Sequence, residues 1–171
     1  MKEYVINDFF CYKIFKIAKR TIYYPNRALL YYQKNVLKIL QRFYPLSNSI
    51  EKCAKKHINQ KWLLKMDIER FYESIPVEKI LEVLNILSEK TALFTTNELK
   101  ERTIVHNILP TGAPTSAHIA NACMESIDKK IEKECKAQGI EYSRYMDDLL
   151  RINFRFPAMF FVYHLLFQNA V

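Results

Sequence analysis

The sequence predicts an α+β fold in which several helices pack with a small antiparallel sheet. Two patterns predict this class: apolar positions recur at helical spacing over long stretches, and short runs of β-branched and aromatic residues end at turns. A third observation is that 50% of the 171 residues are hydrophobic, enough for one compact core. No repeat or Pro/Gly/Ser-rich linker divides the sequence, so we expect a single domain over residues 1–171.

The amino-terminal part is predicted to form a hairpin and two helices. The segment FKIAKRTIYYP mixes β-branched and aromatic residues with basic ones and stops at Pro25, which indicates a short exposed strand or hairpin. Asn26 can cap a helix whose apolar side chains recur at helical spacing. A second, short helix is expected to begin after Ser47 or Ser49, because either hydroxyl can cap it.

The middle of the chain places a carboxylate at the end of a strand. The run WLLKMDI over residues 62–68 is typical of a largely buried strand and has Asp67 at its carboxyl end. From Pro76 onward, apolar residues recur at helical spacing, and proline is tolerated in the first turn of a helix. The sequence therefore predicts a strand followed by an amphipathic helix.

Two further helices are predicted before the chain returns to the sheet. Thr95 and Glu98 have the spacing of a capping box, and the helix that they begin is expected to reach about His106. A long helix over residues 115–138 has one apolar stripe, and Gly139, one of only two glycines in the sequence, is expected to end it.

Adjacent aspartates lie in the strand, turn and strand predicted over residues 140–152. Asp147 and Asp148 stand in the apolar run YMDDLL, where uncompensated carboxylates are costly to desolvate. At a hairpin turn both can approach one region, and with Asp67 on a neighbouring strand three carboxylates would meet. Such a set suits Mg²⁺, a hard cation that prefers oxygen ligands. The alternative is an Asp-Asp turn on a solvated hairpin.

Composition indicates a polyanionic partner and no membrane. Lys and Arg outnumber Asp and Glu by 26 to 18, a balance that attracts nucleic acid but also serves simply to keep a protein in solution. Four cysteines without a Cys-x-x-Cys pair fit reduced thiols rather than a zinc site or a disulfide framework. MKEYVINDFF lacks the pattern of a signal peptide, and PAMFFVYHLLF is too short to span a bilayer. We expect a cytoplasmic protein.

Four blocks of the sequence carry a family resemblance. They are KRTIYYP with the following LLYYQ, then KWLLKMDIERFYESI, LPTGAPTS and YSRYMDDLL. In this order they resemble the fingers segment, the first catalytic palm motif, the substrate-positioning loop and the Tyr-x-Asp-Asp hairpin of reverse transcriptases, especially those of bacterial retrons and related phage-defence or group II intron-like enzymes. The resemblance covers about residues 12–150 and implies an RNA-directed DNA polymerase with a right-hand fingers and palm.

The resemblance implies two-metal nucleotidyl transfer. Asp67, Asp147 and Asp148 would be the catalytic carboxylates. With the backbone carbonyl of Ile68 they would hold two Mg²⁺ ions, for which Mn²⁺ is the alternative. Ions roughly 4 Å apart would activate the primer 3′-hydroxyl and stabilise the leaving pyrophosphate.

The resemblance also assigns substrate-binding residues. Those for the nucleotide are Arg20, Lys19, Tyr72, Thr111 and Gly112. An arginine fork suits the triphosphate, and an aromatic ring at position 72 would pack on the sugar and exclude a 2′-hydroxyl. Tyr145 and Met146 would lie near the primer terminus. The alternatives are a solvated charge for Arg20 and core packing for the aromatic residues and Met146, and many relatives have glutamine where Thr111 stands.

The resemblance stops after Leu150. Arg151 is followed by INFRFPAMFFVYHLLFQNAV, which is apolar, and we interpret it as a shifted reading frame, a truncated product or one last strand under the palm. The expected organisation is fingers elements over about residues 1–60 and 77–110, palm elements over about 61–76 and 111–155, and an atypical tail over 151–171. No thumb is expected, and because a thumb helps to position the primer hydroxyl, the chain alone is expected to be weakly active or inactive.

The implied partners are an RNA template, a DNA or RNA primer and deoxynucleotide triphosphates, and the resemblance allows a structured non-coding RNA as well. Three alternatives stay open: a non-catalytic remnant that binds nucleic acid, a polymerase of the same fold that needs no template or uses ribonucleotides, and a structural interaction protein. The first would bind primer–template in a salt-dependent way without incorporation, the second would differ in nucleotide preference, and the third would not bind nucleic acid.

Overall fold

The described part of the chain has an α+β fold with antiparallel sheets, as predicted. The computed structural model describes residues 2–18, 20–46, 49–59 and 63–152, with the backbone alone for 150–152. The strands are β1 (Lys2–Val5), β2 (Cys11–Ile17), β3 (Arg20–Pro25), β4 (Leu63–Asp67), β5 (Tyr142–Tyr145) and β6 (Asp148–Ile152). The helices are α1 (Arg27–Phe43), α2 (Ile50–Lys56), α3 (Phe71–Ser74), α4 (Val77–Thr91), α5 (Thr96–Thr103) and α6 (Ser116–Ala137). Over these ranges, no helix is long and apolar enough to cross a membrane.

The elements fall into two compact units. The first comprises Met1–Pro45 and Arg70–Cys123, and the second comprises Leu46–Glu69 and the chain from Met124 onward. Strands β1 to β3 form a sheet in the first unit, and β4 to β6 form a sheet in the second.

The sheet of the first unit has the strand order β1-β2-β3, and its neighbouring strands are antiparallel. The predicted hairpin is confirmed as β2 and β3, while β1 is a strand that the sequence pattern does not predict. Alternate residues of the hairpin face the core, where the buried rings of Tyr12 and Tyr23 pack with Leu29 of α1.

The sheet of the second unit has the order β4-β6-β5, with the middle strand antiparallel to both neighbours. The core of this unit is formed by Ile131, Cys135, Ile140, Tyr142 and Leu149. Helix α6 therefore covers one face of the sheet. Gly139 lies two residues after Ala137, the last residue of α6, and its φ of 65° fits its predicted role in ending the helix.

Local capping signals set several helix ends as predicted. The side chain of Asn26 accepts a backbone N–H from the first turn of α1, and Ser49 does the same for α2. Ser47, the other candidate cap, lies outside the described residues. Thr95 and Glu98 form both hydrogen bonds of a capping box at the start of α5. Each such cap stabilises its helix by about 1 kcal/mol.

Three local features differ from the expectation. Helix α5 ends at Thr103, short of His106, because the backbone of the next residue, Ile104, is extended, with a φ of −113° and a ψ of 141°. The strand expected over 62–68 alternates between exposed and half-buried residues in β4, since only one of its faces is covered, and Trp62 lies outside the described residues. The short helix α3 follows a left-handed Arg70, with a φ of 52°, and has no sequence signal.

Candidate active site

The predicted carboxylates lie at one end of the sheet in the second unit. Asp67 is the last residue of β4, Asp148 is the first residue of β6, and Asp147 precedes it in the turn. Asp67 and Asp148 oppose each other in the β4–β6 ladder, and opposed residues have Cβ atoms about 4.5–5.5 Å apart. The N–H of Ile68 donates to the carbonyl of Asp147 at 3.1 Å. The backbone therefore brings the four predicted metal-binding positions together.

Asp67 and Asp148 share the face of the sheet that α6 does not cover. Opposed residues lie on one face, and successive residues of a strand alternate between faces. Leu149, the neighbour of Asp148, is buried on the other face. Asp67 is exposed and Asp148 is half-buried, so solvent reaches both carboxylates. That access suits a cation that keeps water ligands for exchange with substrate phosphate.

Lys65 lies beside these carboxylates, although the sequence analysis did not single it out. Its Nζ is 2.9 Å from Oδ1 of Asp148. This hydrogen bond is the largest cause of the raised pKa of Lys65, and the charges of Asp148, Asp67 and Asp147 raise it further. The spacing Lys-x-Asp on a strand places both side chains on one face, which is the signal that could have identified it.

The donor chemistry of this cluster fits a hard divalent cation, since the candidate ligands are carboxylate oxygens and one backbone carbonyl. Nevertheless, no group of three or more His, Cys, Asp and Glu side chains within the described ranges is arranged to hold a metal ion. The ammonium group of Lys65 contacts an oxygen of Asp148 that a metal ion would use. The residues are gathered, and metal coordination stays a prediction.

A buried network lies against the covered face of the same hairpin. Arg144 is 5% exposed, and its Nε and Nη2 donate to the carboxylate of Asp128 in α6 at 2.9 and 2.6 Å. Its Nη1 donates to the carbonyl of Met146 at 2.9 Å, and the hydroxyl of Tyr142 donates to Asp128 at 2.7 Å. Burial acts to lower the pKa of Arg144, but the hydrogen bonds and charge of Asp128 outweigh it and the pKa is raised. Arg144 is therefore a fixed cation beneath the turn.

The turn between β5 and β6 contains the two predicted primer-terminus residues. Tyr145 opposes Asp148 in the β5–β6 ladder, and both Tyr145 and Met146 are half-buried. Met146 has a left-handed φ of 55°, a conformation that costs a residue other than glycine on the order of 1 kcal/mol. The hydrogen bond from Arg144 to its carbonyl helps to offset that cost.

Three of the predicted nucleotide-binding residues, Arg20, Thr111 and Gly112, lie in or beside β3. Arg20 begins this strand and is exposed. The N–H of Tyr23 donates to the carbonyl of Thr111 at 2.8 Å, so the loop that contains Thr111 lies along the strand. Burial and then the charge of Glu73, a residue of α3, raise the pKa of Tyr23, and Tyr72 of the same helix is half-buried.

Gly112 is required by the close approach of its loop to β3. Its φ is 101°, and an added Cβ would lie 3.0 Å from Cγ2 of Ile22 and 3.1 Å from the carbonyl oxygen of Tyr23. A side chain at this position would therefore meet both an unfavourable backbone conformation and backbone atoms of the strand. Lys19, the remaining nucleotide-binding candidate, lies outside the described residues.

Comparison with known proteins identifies the family to which this fold and these motifs belong. The family described as Reverse transcriptase (RNA-dependent DNA polymerase) matches residues 17–153. The chain therefore belongs to the reverse transcriptase family, whose members are nucleotidyltransferases, and the resemblance stated from the motifs is confirmed.

Its similarity extends to reverse transcriptases of retrons. The retron Ec83 reverse transcriptase of Escherichia coli is 34% identical over 162 residues, which cover 81% of this chain and 51% of that protein. The retron Ec86 reverse transcriptase of Escherichia coli is 32% identical over 156 residues, covering 82% and 48%. The retron Mx65 reverse transcriptase of Myxococcus xanthus is 26% identical over 168 residues, covering 81% and 39%. The chain thus spans about half the length of the first two relatives.

Proposed function

We propose that this protein performs RNA-directed DNA synthesis by adding deoxynucleotides to the 3′-hydroxyl of a primer on an RNA template. The observation that carries the proposal is the register of β4 and β6, which opposes Asp67 and Asp148 and hydrogen-bonds Ile68 to Asp147. Membership of the reverse transcriptase family supports the type of reaction. The names of its relatives support a retron enzyme, and we extend the proposal to a structured non-coding RNA as a partner.

In this proposal Asp67, Asp147, Asp148 and the carbonyl of Ile68 hold two Mg²⁺ ions, or Mn²⁺ in their place. When bound, the ions supply positive charge that activates the primer hydroxyl and stabilises the leaving pyrophosphate. The protein holds Asp67 and Asp148 opposite each other on adjacent strands, so that these mutually repelling carboxylates stay close before a metal ion binds. Asp67 is exposed and Asp148 is half-buried, so water and phosphate have access to both carboxylates.

The remaining assignments follow the fingers and palm organisation, with the boundaries predicted from the sequence. Arg20 and Lys19 pair with the triphosphate, and Tyr72 packs against the sugar of the incoming nucleotide. The loop that contains Thr111 and Gly112 positions the substrate, a role supported by its fixed path along β3. We assign Tyr145 and Met146 to the primer terminus, beside the carboxylates in sequence and in the hairpin.

Primer extension on an RNA template with Mg²⁺ and deoxynucleotides tests the proposal. We compare the chain with the Asp147→Asn/Asp148→Asn variant and with a Glu51→Gln/Glu125→Gln control, in which two exposed acids are neutralised in lysine pairs of the same unit. Because the chain alone is expected to be weakly active at most, we expect weak extension by the chain and the control and none by the aspartate variant. Equal extension by the aspartate variant would refute the assignment of the carboxylates.

A second function, nucleic-acid binding without catalysis, is favoured by the excess of basic residues, 26 against 18 acidic ones. The same assay separates it from polymerisation when primer–template binding is measured in parallel. Salt-dependent binding by a folded chain that extends nothing would favour this second function.

A further inference from the structure

Arg144 connects β5, the β5–β6 turn and α6 through a single buried side chain. Its side chain is 4% exposed, and it forms hydrogen bonds in two directions. Two of its nitrogens donate to Asp128 of α6, and the third donates to the carbonyl of Met146 in the turn. A cation that only neutralised Asp128 would have no need of the second contact. The guanidinium group therefore ties the helix to the turn.

The turn determines where two of the candidate metal ligands lie. Met146 has a left-handed φ of 55°, which L-residues rarely adopt without support. The next residue, Asp147, accepts the N–H of Ile68 through its carbonyl, and Asp148 then enters the ladder opposite Asp67. A change of backbone conformation at Met146 would thus shift both acids relative to Asp67.

We propose that Arg144 is a positioning residue for the carboxylate hairpin, and that it acts by holding the carbonyl of Met146 from the covered side of the sheet. Through this contact it sets the position of Asp147 and Asp148, although its own side chain lies on the face opposite to Asp148. The inference deepens the proposed function and, where it concerns metal binding, rests on it.

Asp128 and Tyr142 hold the guanidinium group in place for this task. Asp128 accepts from Nε and Nη2 of Arg144, and Tyr142 donates to the same carboxylate at 2.7 Å. A planar fork can serve a carboxylate and a carbonyl at the same time, whereas a lysine ammonium is a compact charge on a flexible stem. Arg144→Lys therefore keeps the positive charge but removes the planar group that contacts Asp128 and the carbonyl of Met146 together. Asp128→Asn weakens the hydrogen bonds that hold the guanidinium group in place.

The first measurement is amide hydrogen exchange at Ile68, which needs no bound metal. The acceptor of this N–H is the carbonyl of Asp147, so its exchange rate reports the position of the turn. We expect exchange about tenfold faster in Arg144→Lys and Asp128→Asn, the change that loss of one charge-assisted hydrogen bond produces. Lys129→Met is the control, because Lys129 forms an exposed ion pair with Glu125 on the same helix.

The second measurement is Mn²⁺ affinity by electron paramagnetic resonance on the same variants. Loss of an outer residue that orients metal ligands costs about 10- to 100-fold in affinity, which is the result expected for Arg144→Lys and Asp128→Asn but not for Lys129→Met. If Arg144 had a merely structural role, its substitution would lower the melting temperature and speed amide exchange across the whole sheet, while the folded protein kept its affinity for Mn²⁺.

The two measurements separate this inference from the proposed function. If the unaltered chain binds no Mn²⁺ but Ile68 exchanges faster in Arg144→Lys, the metal assignment fails and the positioning role stands. If Ile68 exchanges at the unaltered rate in folded Arg144→Lys, or every sheet amide accelerates equally, the positioning role is overturned. Tyr142→Phe, which keeps both Arg144 and Asp128, provides the same comparison if Arg144→Lys does not fold.

Discussion

Two basic side chains approach the carboxylate hairpin from opposite faces of its sheet and differ in their surroundings. Lys65 is exposed and pairs with Asp148 through one contact, while Arg144 is buried and hydrogen-bonds to both Asp128 and Met146. An exposed ion pair contributes little to stability because water and salt screen it, whereas removing one member of a buried pair leaves the other without compensation. Substitution of Lys65 should therefore alter the acidic cluster without unfolding the protein.

Lys65→Met is predicted to bind Mn²⁺ more tightly than the unaltered chain. The ammonium group of Lys65 competes with a metal ion for an oxygen of Asp148. The interaction energy typical of exposed ion pairs predicts that removing this competition raises Mn²⁺ affinity by up to about fivefold. Titration followed by electron paramagnetic resonance measures the affinity. Lys55→Met is the matched control, since Lys55 forms an exposed ion pair with Glu51 in the same unit. Weaker Mn²⁺ binding by Lys65→Met would mean that the lysine supports the site.

The two glycines of the chain allow the same substitution to be compared in two different elements. Gly112 lies in a loop against β3, and its Cβ would lie 3.0 Å from Ile22, while Gly139 follows α6 with nothing within 4 Å of the corresponding position. Both have positive φ values, 101° and 65°. The φ of Gly139 lies near the left-handed region that other residues can adopt, and that of Gly112 lies outside it.

Gly112→Ala is predicted to destabilise the protein more than Gly139→Ala. The alanine at 139 costs about 1 kcal/mol for its backbone conformation alone. At 112 the unfavourable φ and the contacts with β3 together cost about 2–3 kcal/mol, a decrease in melting temperature of roughly 4–12 °C. Thermal unfolding of the two variants side by side checks the difference. Equal melting temperatures would show that the loop yields freely and does not have the fixed path that we assign to it.

The sequence predicts those elements whose signals are local. Asn26 and the Thr95–Glu98 box lie at helix starts because each acts within one turn of its own helix. Strand β1 was missed because its four residues are ordered by pairing with β2, and α3 because its start is a left-handed Arg70 without a side-chain cap. The burial of β4 was overestimated, since an apolar run does not reveal how many faces of a strand are covered.

In the candidate site, too, local sequence signals predict some features, and tertiary packing determines the others. Asp67, Asp147 and Asp148 were predicted from charge inside apolar sequence together with the family resemblance. The same reasoning from charge, applied to Arg144, would have indicated a buried cation in need of a partner. Its partner could not be predicted, because Asp128 reaches it only through the packing of α6 on the sheet. The sequence shows which groups need compensation, and the tertiary structure determines what compensates them.

The charge of the whole molecule is unevenly distributed among its helices. The sequence has a formal net charge of +8. Helix α1 has no acidic residue, and the basic residues on its exposed surface are Arg27, Lys34, Lys38 and Arg42. Elsewhere in the described part of the chain four lysines form ion pairs with acidic side chains, among them Lys55 with Glu51 and Lys129 with Glu125. A polyanion should therefore interact more strongly with α1 than the net charge alone would suggest.

Binding of the chain to primer–template is predicted to weaken steeply with salt and to depend on α1. Two neutralised phosphates alone give about a tenfold loss of affinity between 50 and 200 mM salt. The α1 variant Lys34→Glu/Lys38→Glu lowers the net charge from +8 to +4, since each reversal removes two positive charges. The control variant Lys55→Glu/Lys129→Glu lowers the net charge by the same amount, but at lysines that already form ion pairs with Glu51 and Glu125. Fluorescence anisotropy over a salt series should show weaker binding by the α1 variant than by its charge-matched control. The slope of log affinity against log salt concentration should also be smaller in magnitude, by about two, for the α1 variant. Equal affinities would show that net charge alone governs binding, and binding without salt dependence would contradict phosphate contact altogether.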